Sequence, residues 1–389
     1  MIERCDELAA LSEHPGMICR RMATPALAAA ADLIAGYLAE AGLLVQRDGL
    51  GNLRGRTPGA DPTAPALLLG SHYDTVPNGG RYDGALGVLC AIEAVSAVGE
   101  RSVPFEVHAF ADEEGVRFST AYLGSSAVFG TLDPALAVRA DSDGITLRDA
   151  LAATGGSLDD RLPPPHALGY LELHIEQGPH LELAQLPVGI VTAIAGQTRL
   201  ALTLTGVAGH AGTVPMEGRH DALAAASAIV LAVEAAARGG IVATVGSLLA
   251  EPGAANVIPA RVRLTVDLRH PDDHARLAAV EALRAAVTSI GRRRGVVIDW
   301  VVTFDEPAVS CAPAMVAALT AAVERRGLPV RLLPSGAGHD AVAIAPHCPV
   351  GMLFVRCAGG ISHDPAESVS EDDVAVAIDV LAGTLEELT

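Results

Sequence analysis

Aromatic side chains are scarce: Phe, Tyr and Trp together make up 3% of 389 residues, while apolar residues of all kinds reach 50%. Such a chain is ordered and globular, with an aliphatic core of small side chains in tight packing. Positive charge is also short. Lys and Arg number 27 against 46 Asp and Glu, a formal net charge of −19. That balance opposes binding to nucleic acid or to an anionic membrane surface, since either requires a concentrated positive field. It leaves a small substrate open, because one Arg in a dry pocket outweighs the global sign locally. The six cysteines (Cys5, Cys19, Cys90, Cys311, Cys348 and Cys357) form no CxxC pair, so neither a disulfide framework nor a thiolate metal site is expected. No spanning run of about twenty apolar residues is seen. The opening MIERCDELAALSEHPGMICR is interrupted by charges where a secretory leader would carry its apolar segment. These absences predict a cytoplasmic protein in a reducing compartment.

The length exceeds the usual size of a single core, so two domains are expected. TPALAAAADLIAGYLAEA (Thr24 to Ala41) has helical spacing, a Thr-Pro start and a Gly stop. LLVQRDGLGNLRGR reads as two short strands around a Gly-Asn turn. Strand Leu67 to Leu69, helix Gly84 to Val98, strand Phe105 to Phe110 and a helix near Gly124 to Gly130 then alternate, which predicts βαβ units and a mostly parallel sheet. Asp141 to Pro165 reads as loop with one short helix. From about Gln197 the order becomes β-α-β-β-α-β, the ferredoxin-like arrangement. The expected organisation is a discontinuous α/β catalytic domain of residues 1–196 and 305–389, with an α+β domain of residues 197–304 inserted.

Four apolar runs each break off into His, Asp and Glu: LLLGSHYD (Leu67 to Asp74, with Asp83 following in GGRYDG), FEVHAFADEEG (Phe105 to Gly115), LELHIEQG (Leu171 to Gly178) and GMLFVRCAGGISHD (Gly351 to Asp364). Open α/β sheets place their sites at the carboxyl ends of parallel strands. An isolated His or Asp after a strand is more often a turn residue or a cap. Four such ends, carrying His72, Asp83, Glu113, Glu114, His174 and His363, favour a site for two divalent cations, zinc or manganese. Asp74, at i+2 from His72, is placed to orient that ring. Asp83 opens the following helix, where an N-cap role competes with bridging two cations, and bridging fits its company better. Glu113 and Glu114 are adjacent and diverge, so one suits metal binding and the other suits the general base.

GSHYDTVPNGGRYDGALGVL, ADEEGVRF, HIEQGPHLE, GHAGTVPMEGRHDA, NVIPARVRLTVDLRH, SGAGHDA and GISHDPAE resemble the dinuclear-metal amidohydrolase branch of the M20 peptidase superfamily, from about Ala28 to the C-terminus. The branch includes allantoate, ureidoglycolate and N-carbamoyl-L-amino acid amidohydrolases and β-ureidopropionases. The resemblance implies a zinc-peptidase-like catalytic domain and a dimerisation (lid) domain. It implies His72, Asp83 and His174 on one ion, Asp83, Glu114 and His363 on the other, and Glu113 as general base. Gln177, Asn256 and Arg269 match residues that hold the substrate, Arg269 by its carboxylate. His210 matches a histidine that acts in the partner subunit's site of a homodimer. His339, in SGAGHDA, is a candidate substrate contact or partner of a metal ligand.

The expected activity is hydrolysis of a linear amide or ureido C–N bond in a small carboxylate substrate. YDGALGVL, FADEEGVRF and AYLGS are most similar to allantoate amidohydrolases, and N-carbamoyl-L-amino acid hydrolase is the close alternative. An aminoacylase or dipeptidase is a weaker reading, because His174 stands where peptidases commonly carry a carboxylate. A catalytically silent metal-binding protein is weaker still, since no catalytic position of the pattern is lost.

Overall fold

A computed structural model describes every residue except Ala60, Pro62 and Glu100. It contains two compact units, Met1–Thr192 with Cys311–Thr389, and Ala193–Ser310.

In the larger unit the strands Ala66–His72, Phe105–Phe110 and Val350–Val355 are buried at every position, and Ala167–Ile175 at all but its first two. Continuous burial is what a strand covered on both faces requires. These strands are neighbours in the order Phe105–Phe110, Ala66–His72, Ala167–Ile175, Val350–Val355, and each pair is parallel. Their carboxyl ends therefore share one edge. Antiparallel strands flank them: Leu53–Arg56 and Leu44–Arg47 on one side, Val188–Ile194 on the other. Helix Pro25–Glu40 starts where its sequence signal stands, with Pro25 in the first turn and the Thr24 hydroxyl accepting from Leu27 N. Helix Ala85–Val98 packs against the sheet and against helix Glu371–Leu388, which also meets helix Pro313–Arg325. The short helix expected within the loop stretch Asp141 to Pro165 is Leu147–Ala153, capped by Thr146. Among the described residues, no helix is long and apolar enough to cross a membrane.

The smaller unit is an antiparallel sheet in the order Val297–Glu306, Gly196–Thr205, Arg261–His270, Val242–Glu251. With helices Ala222–Ala236 and Asp273–Arg294 this is the ferredoxin-like order. Leu200, Leu202 and Leu204 alternate with less buried neighbours, as do Val262, Leu264, Val266 and Leu268, so one sheet face is covered. Asp221 and Asp272 cap the two helices through paired backbone amides.

A buried charge cluster joins Leu53–Arg56 to Phe105–Phe110. Glu106 lies 2.5 Å from Arg56 Nη1, 3.0 Å from His108 Nε2 and 3.7 Å from Arg54 Nε. Burial would raise its carboxyl, but the His108 bond and the nearby guanidinium groups prevail and hold it at about 2. Glu106→Gln leaves buried cations without their counter-charge, so it is expected to cost about 3 to 5 kcal/mol at pH 7. The charge contribution is complete above the unfolded carboxyl value of about 4.3 and is lost as pH falls toward the folded value. Urea titrations of wild type and variant should therefore differ most at pH 7 and converge toward pH 2. A gap that is constant with pH would sink the assignment.

Candidate dinuclear metal site

His72 is the last residue of its strand, and Glu113 and Glu114 follow Phe105–Phe110 after Ala111 and Asp112. Two placements differ from the sequence reading. Strand Ala66–His72 runs beyond Leu69 to include Gly70, Ser71 and His72, and His174 sits within Ala167–Ile175 instead of after it. His363 lies well past Val350–Val355, in a loop, with a left-handed backbone (φ 56). A non-glycine residue held there is strained, and surrounding contacts must impose it.

Asp83 precedes helix Ala85–Val98, whose N-cap is Gly84 with no side-chain cap. Its carboxylate instead meets imidazoles: Oδ1 lies 3.1 Å from His174 Nε2 and 3.5 Å from His72 Nε2, and Oδ2 lies 3.1 Å from His363 Nε2. Gly84 allows this approach. A Cβ there would sit 2.4 Å from the His72 ring, and its φ of +65 suits glycine. Glu114 Oε1 lies 3.2 Å from His363 Nε2. Three triads have ligand atoms within 4.8 Å of one another: His72, Asp83 and His174; Asp83, Glu114 and His363; and His72, Glu113 and Glu114.

These residues fit divalent ions. His174 Nδ1 faces the Ile175 carbonyl at 2.9 Å, and His72 Nδ1 lies 3.3 Å from both Asp74 Oδ1 and the Asp74 carbonyl. With Nδ1 as donor, each Nε2 keeps a free lone pair. The two Nε2 atoms are 3.4 Å apart and aimed at one carboxylate oxygen, which one proton cannot satisfy and a cation can. Asp74 also accepts from the backbone of Glu113 at 2.9 Å and of Glu114 at 3.3 Å, so it orients both the ring and the acidic turn.

Burial acts against the charged His72, yet Asp74 and Asp83 outweigh it and hold the imidazole well above its ordinary value. His174 is raised by Asp83 against the same burial. Asp83 is driven well below its ordinary value by three imidazoles in spite of burial. Hydrogen bonds to Asp83 and Glu114 lift His363 to about 10. Glu113, buried and beside Glu114, Asp340 and Asp74, is pushed well up.

Gln177 donates from Nε2 to Asp83 Oδ2 at 3.0 Å and to Ser362 Oγ at 3.1 Å, and its buried Oε1 has no hydrogen-bond partner among the described residues. His339 is buried edge-on against His174 at 4.5 Å between ring centroids, with the Ser335 hydroxyl 2.7 Å from Nε2. In the smaller unit, strand Gly209–His210 pairs with Val257–Ile258, and Ala211 N donates to the Asn256 carbonyl at 2.9 Å, so His210 and Asn256 are neighbours. Arg269 is half-buried and forks onto Asp267 at 2.8 and 3.2 Å. Sequence reasoning missed Ser362, Glu367, Glu172 and Asp340, all packed around the ligands. Glu172 was legible in LELHIEQG, where i and i+2 positions share a strand face with His174.

The model of peptidase family M20/M25/M40 matches residues 68–387. The chain belongs to that family. An N-carbamoyl-L-amino acid amidohydrolase from Geobacillus stearothermophilus is 43% identical to this member over 99% of the chain and 97% of the relative. An allantoate deiminase from Arabidopsis thaliana is 38% identical over 97% of the chain and 79% of the relative. Among solved structures, an amidase of the hydantoinase/carbamoylase family from Burkholderia multivorans superposes with a TM-score of 0.92, at 36% identity, over 99% of this chain and 96% of that one.

Raised imidazoles carry protons that a cation must displace, so metal loading of this family member should release protons and weaken as pH falls. Calorimetric titration of the metal-free chain with Mn²⁺ at pH 7, in two buffers of different ionisation enthalpy, is expected to report at least one proton released per chain. Heats that do not depend on the buffer would contradict this site.

Proposed function

We propose that the chain hydrolyses the terminal ureido C–N bond of a small carboxylate substrate, with allantoate as the first reading. It is an amidohydrolase acting on C–N bonds other than peptide bonds. The observation that carries the substrate class is the imidazole His174 in the ligand set, together with relatives named for ureido and carbamoyl substrates. N-carbamoyl-L-amino acids are the second reading, favoured by the bacterial relative. Both substrates join a carboxylate to an –NH–CO–NH₂ group, so one mechanism serves them.

Divalent ions held by His72, Asp83 and His174, and by Asp83, Glu114 and His363, would supply Lewis-acid polarisation of water and carbonyl. Glu113 accepts the proton of the attacking water and returns it to the leaving nitrogen, so that ammonia departs and a carbamate remains. His210 Nδ1 takes the backbone N–H of Gly212 at 3.1 Å, which puts the ring proton on Nε2, free to donate to an oxyanion. Arg269, held in plane by Asp267, grips the substrate carboxylate, and Gln177 and Asn256 hold its amide groups.

Ammonia release from allantoate, ureidoglycolate and N-carbamoyl-L-amino acids, with dipeptides and N-acyl amino acids as controls and Zn²⁺ or Mn²⁺ added, tests this reading. Ureido substrates should be turned over and dipeptides should not; faster dipeptide cleavage sinks it. Glu113→Gln should keep both ions while kcat drops at least ~10²-fold. Loss of an ion in that variant would mean that Glu113 is a ligand.

The chain is further proposed to form a homodimer through residues 197–304, with His210 of each subunit serving the partner's site. His210→Ala should lower kcat by about 10² to 10³. Mixing His210→Ala with Glu113→Gln subunits should then restore up to about a quarter of wild-type activity, because half the dimers are mixed and each has one complete site. No recovery after confirmed subunit exchange would place His210 elsewhere.

A further inference from the structure

Asp83 reaches its imidazoles from a loop, and its carboxylate does not cap the helix that follows, so the aim of that carboxylate must come from other groups. The described hydrogen bonds converge on Glu367. Its Oε1 accepts the backbone N–H of Tyr82 at 2.8 Å and of Asp83 at 3.1 Å. Its Oε2 lies 3.1 Å from the Ser362 hydroxyl, which is also 3.0 Å from Asp83 Oδ2. Gln177 closes the ring by donating to both Ser362 and Asp83. Room for this is provided by Gly80, where a Cβ would lie 2.1 Å from the Glu367 carboxylate. Glu367 is only 3% exposed, so its place is built into the fold. The bond from Tyr82 spans 285 positions of sequence.

We propose that Glu367 is a positioning residue for the metal site: it ties the loop that carries Asp83 to the loop that carries His363, so the carboxylate shared by both ions is aimed through Glu367 and Ser362. This rests on reading Asp83 as the bridging ligand of two ions. The requirement is a hydrogen-bonding pattern. A Gln at this position keeps an oxygen for the two backbone amides and offers an N–H to Ser362 Oγ, which frees the hydroxyl proton for Asp83. Asp is one methylene too short to reach both segments. Met fills the volume and makes none of the bonds. Groups that orient metal ligands typically change metal affinity about 10- to 100-fold when removed.

The test measures stoichiometry and dissociation constants for Mn²⁺ by competition with a chromophoric chelator, in wild type, E367Q, E367D, E367M and S362A. Thermal unfolding of each metal-free chain serves as the folding control. Two ions in wild type, E367Q within about threefold of it, and E367D, E367M and S362A at least about tenfold weaker for one ion are expected. Turnover of a ureido substrate should follow the same order in kcat, with KM nearly unchanged at saturating metal. Wild-type affinity for both ions in E367M, or an E367Q as damaged as E367M, overturns the positioning role. If E367M does not fold, E367Q against E367D decides on the same criterion. Fewer than two ions in the wild type overturns the underlying reading of Asp83 before any variant is compared.

Discussion

Asp83 offers two carboxylate oxygens to three imidazole nitrogens between 3.1 and 3.5 Å away, and that crowding organises the rest of the site. Each ring is fixed at its far nitrogen or by a second carboxylate, so none can turn away to relieve a neighbour. Four of the five ligand side chains are at least three-quarters shielded from water, where unpaired charge is costly. Without cations the balance is struck by raised imidazoles and a depressed Asp83. With cations the same atoms supply neutral imidazole and ionised carboxylate, and the local proton logic inverts. Ligand atoms already gathered within 4.8 Å of one another are preorganised.

That preorganisation depends on the sheet. Parallel strands deliver His72, the Glu113–Glu114 turn and His174 to one edge because their register is fixed by ladders on both sides. Side chains on such strands are placed more rigidly than side chains on loops. Glu114 lies in a turn that Asp74 holds by two backbone amides, while Asp83 and His363 lie on other loops, and these are the two that Ser362 and Glu367 connect. Rigid strands and braced loops together explain how residues from both ends of the chain form one centre.

The sequence made the strand ends legible because buried parallel strands are apolar throughout, so a polar cluster marks where burial should stop. The rule failed where polar residues continue inside the sheet. Ser71 and Glu172 hydrogen-bond each other at 3.2 Å across neighbouring strands, and this pairing lets strand Ala66–His72 extend past the point where its apolar run ends. His174 is carried inside its strand by the same alternation. The helix starts were legible from local chemistry, since Thr24, Asp221 and Asp272 each satisfy amides two or three residues ahead. Glu367 was illegible as an organiser. Its partners are backbone amides of the distant segment 82–83, and backbone groups carry no sequence label.

Substrate charge is where composition and site meet. The chain contains no lysine, so every fixed side-chain cation is an Arg, and acidic groups outnumber these by 46 to 27. A carboxylate substrate approaching such a surface is repelled at long range. Two divalent ions held by Asp83 and Glu114 would set four positive charges against two ligand carboxylates, with the Glu113 carboxylate reducing the surplus further without cancelling it. An anionic substrate would thus be drawn to the place where its carbonyl must react. The same acidic surface disfavours anionic polymers, which would need positive charge along their whole length. Selection of a small anion over a large one then needs no dedicated binding surface.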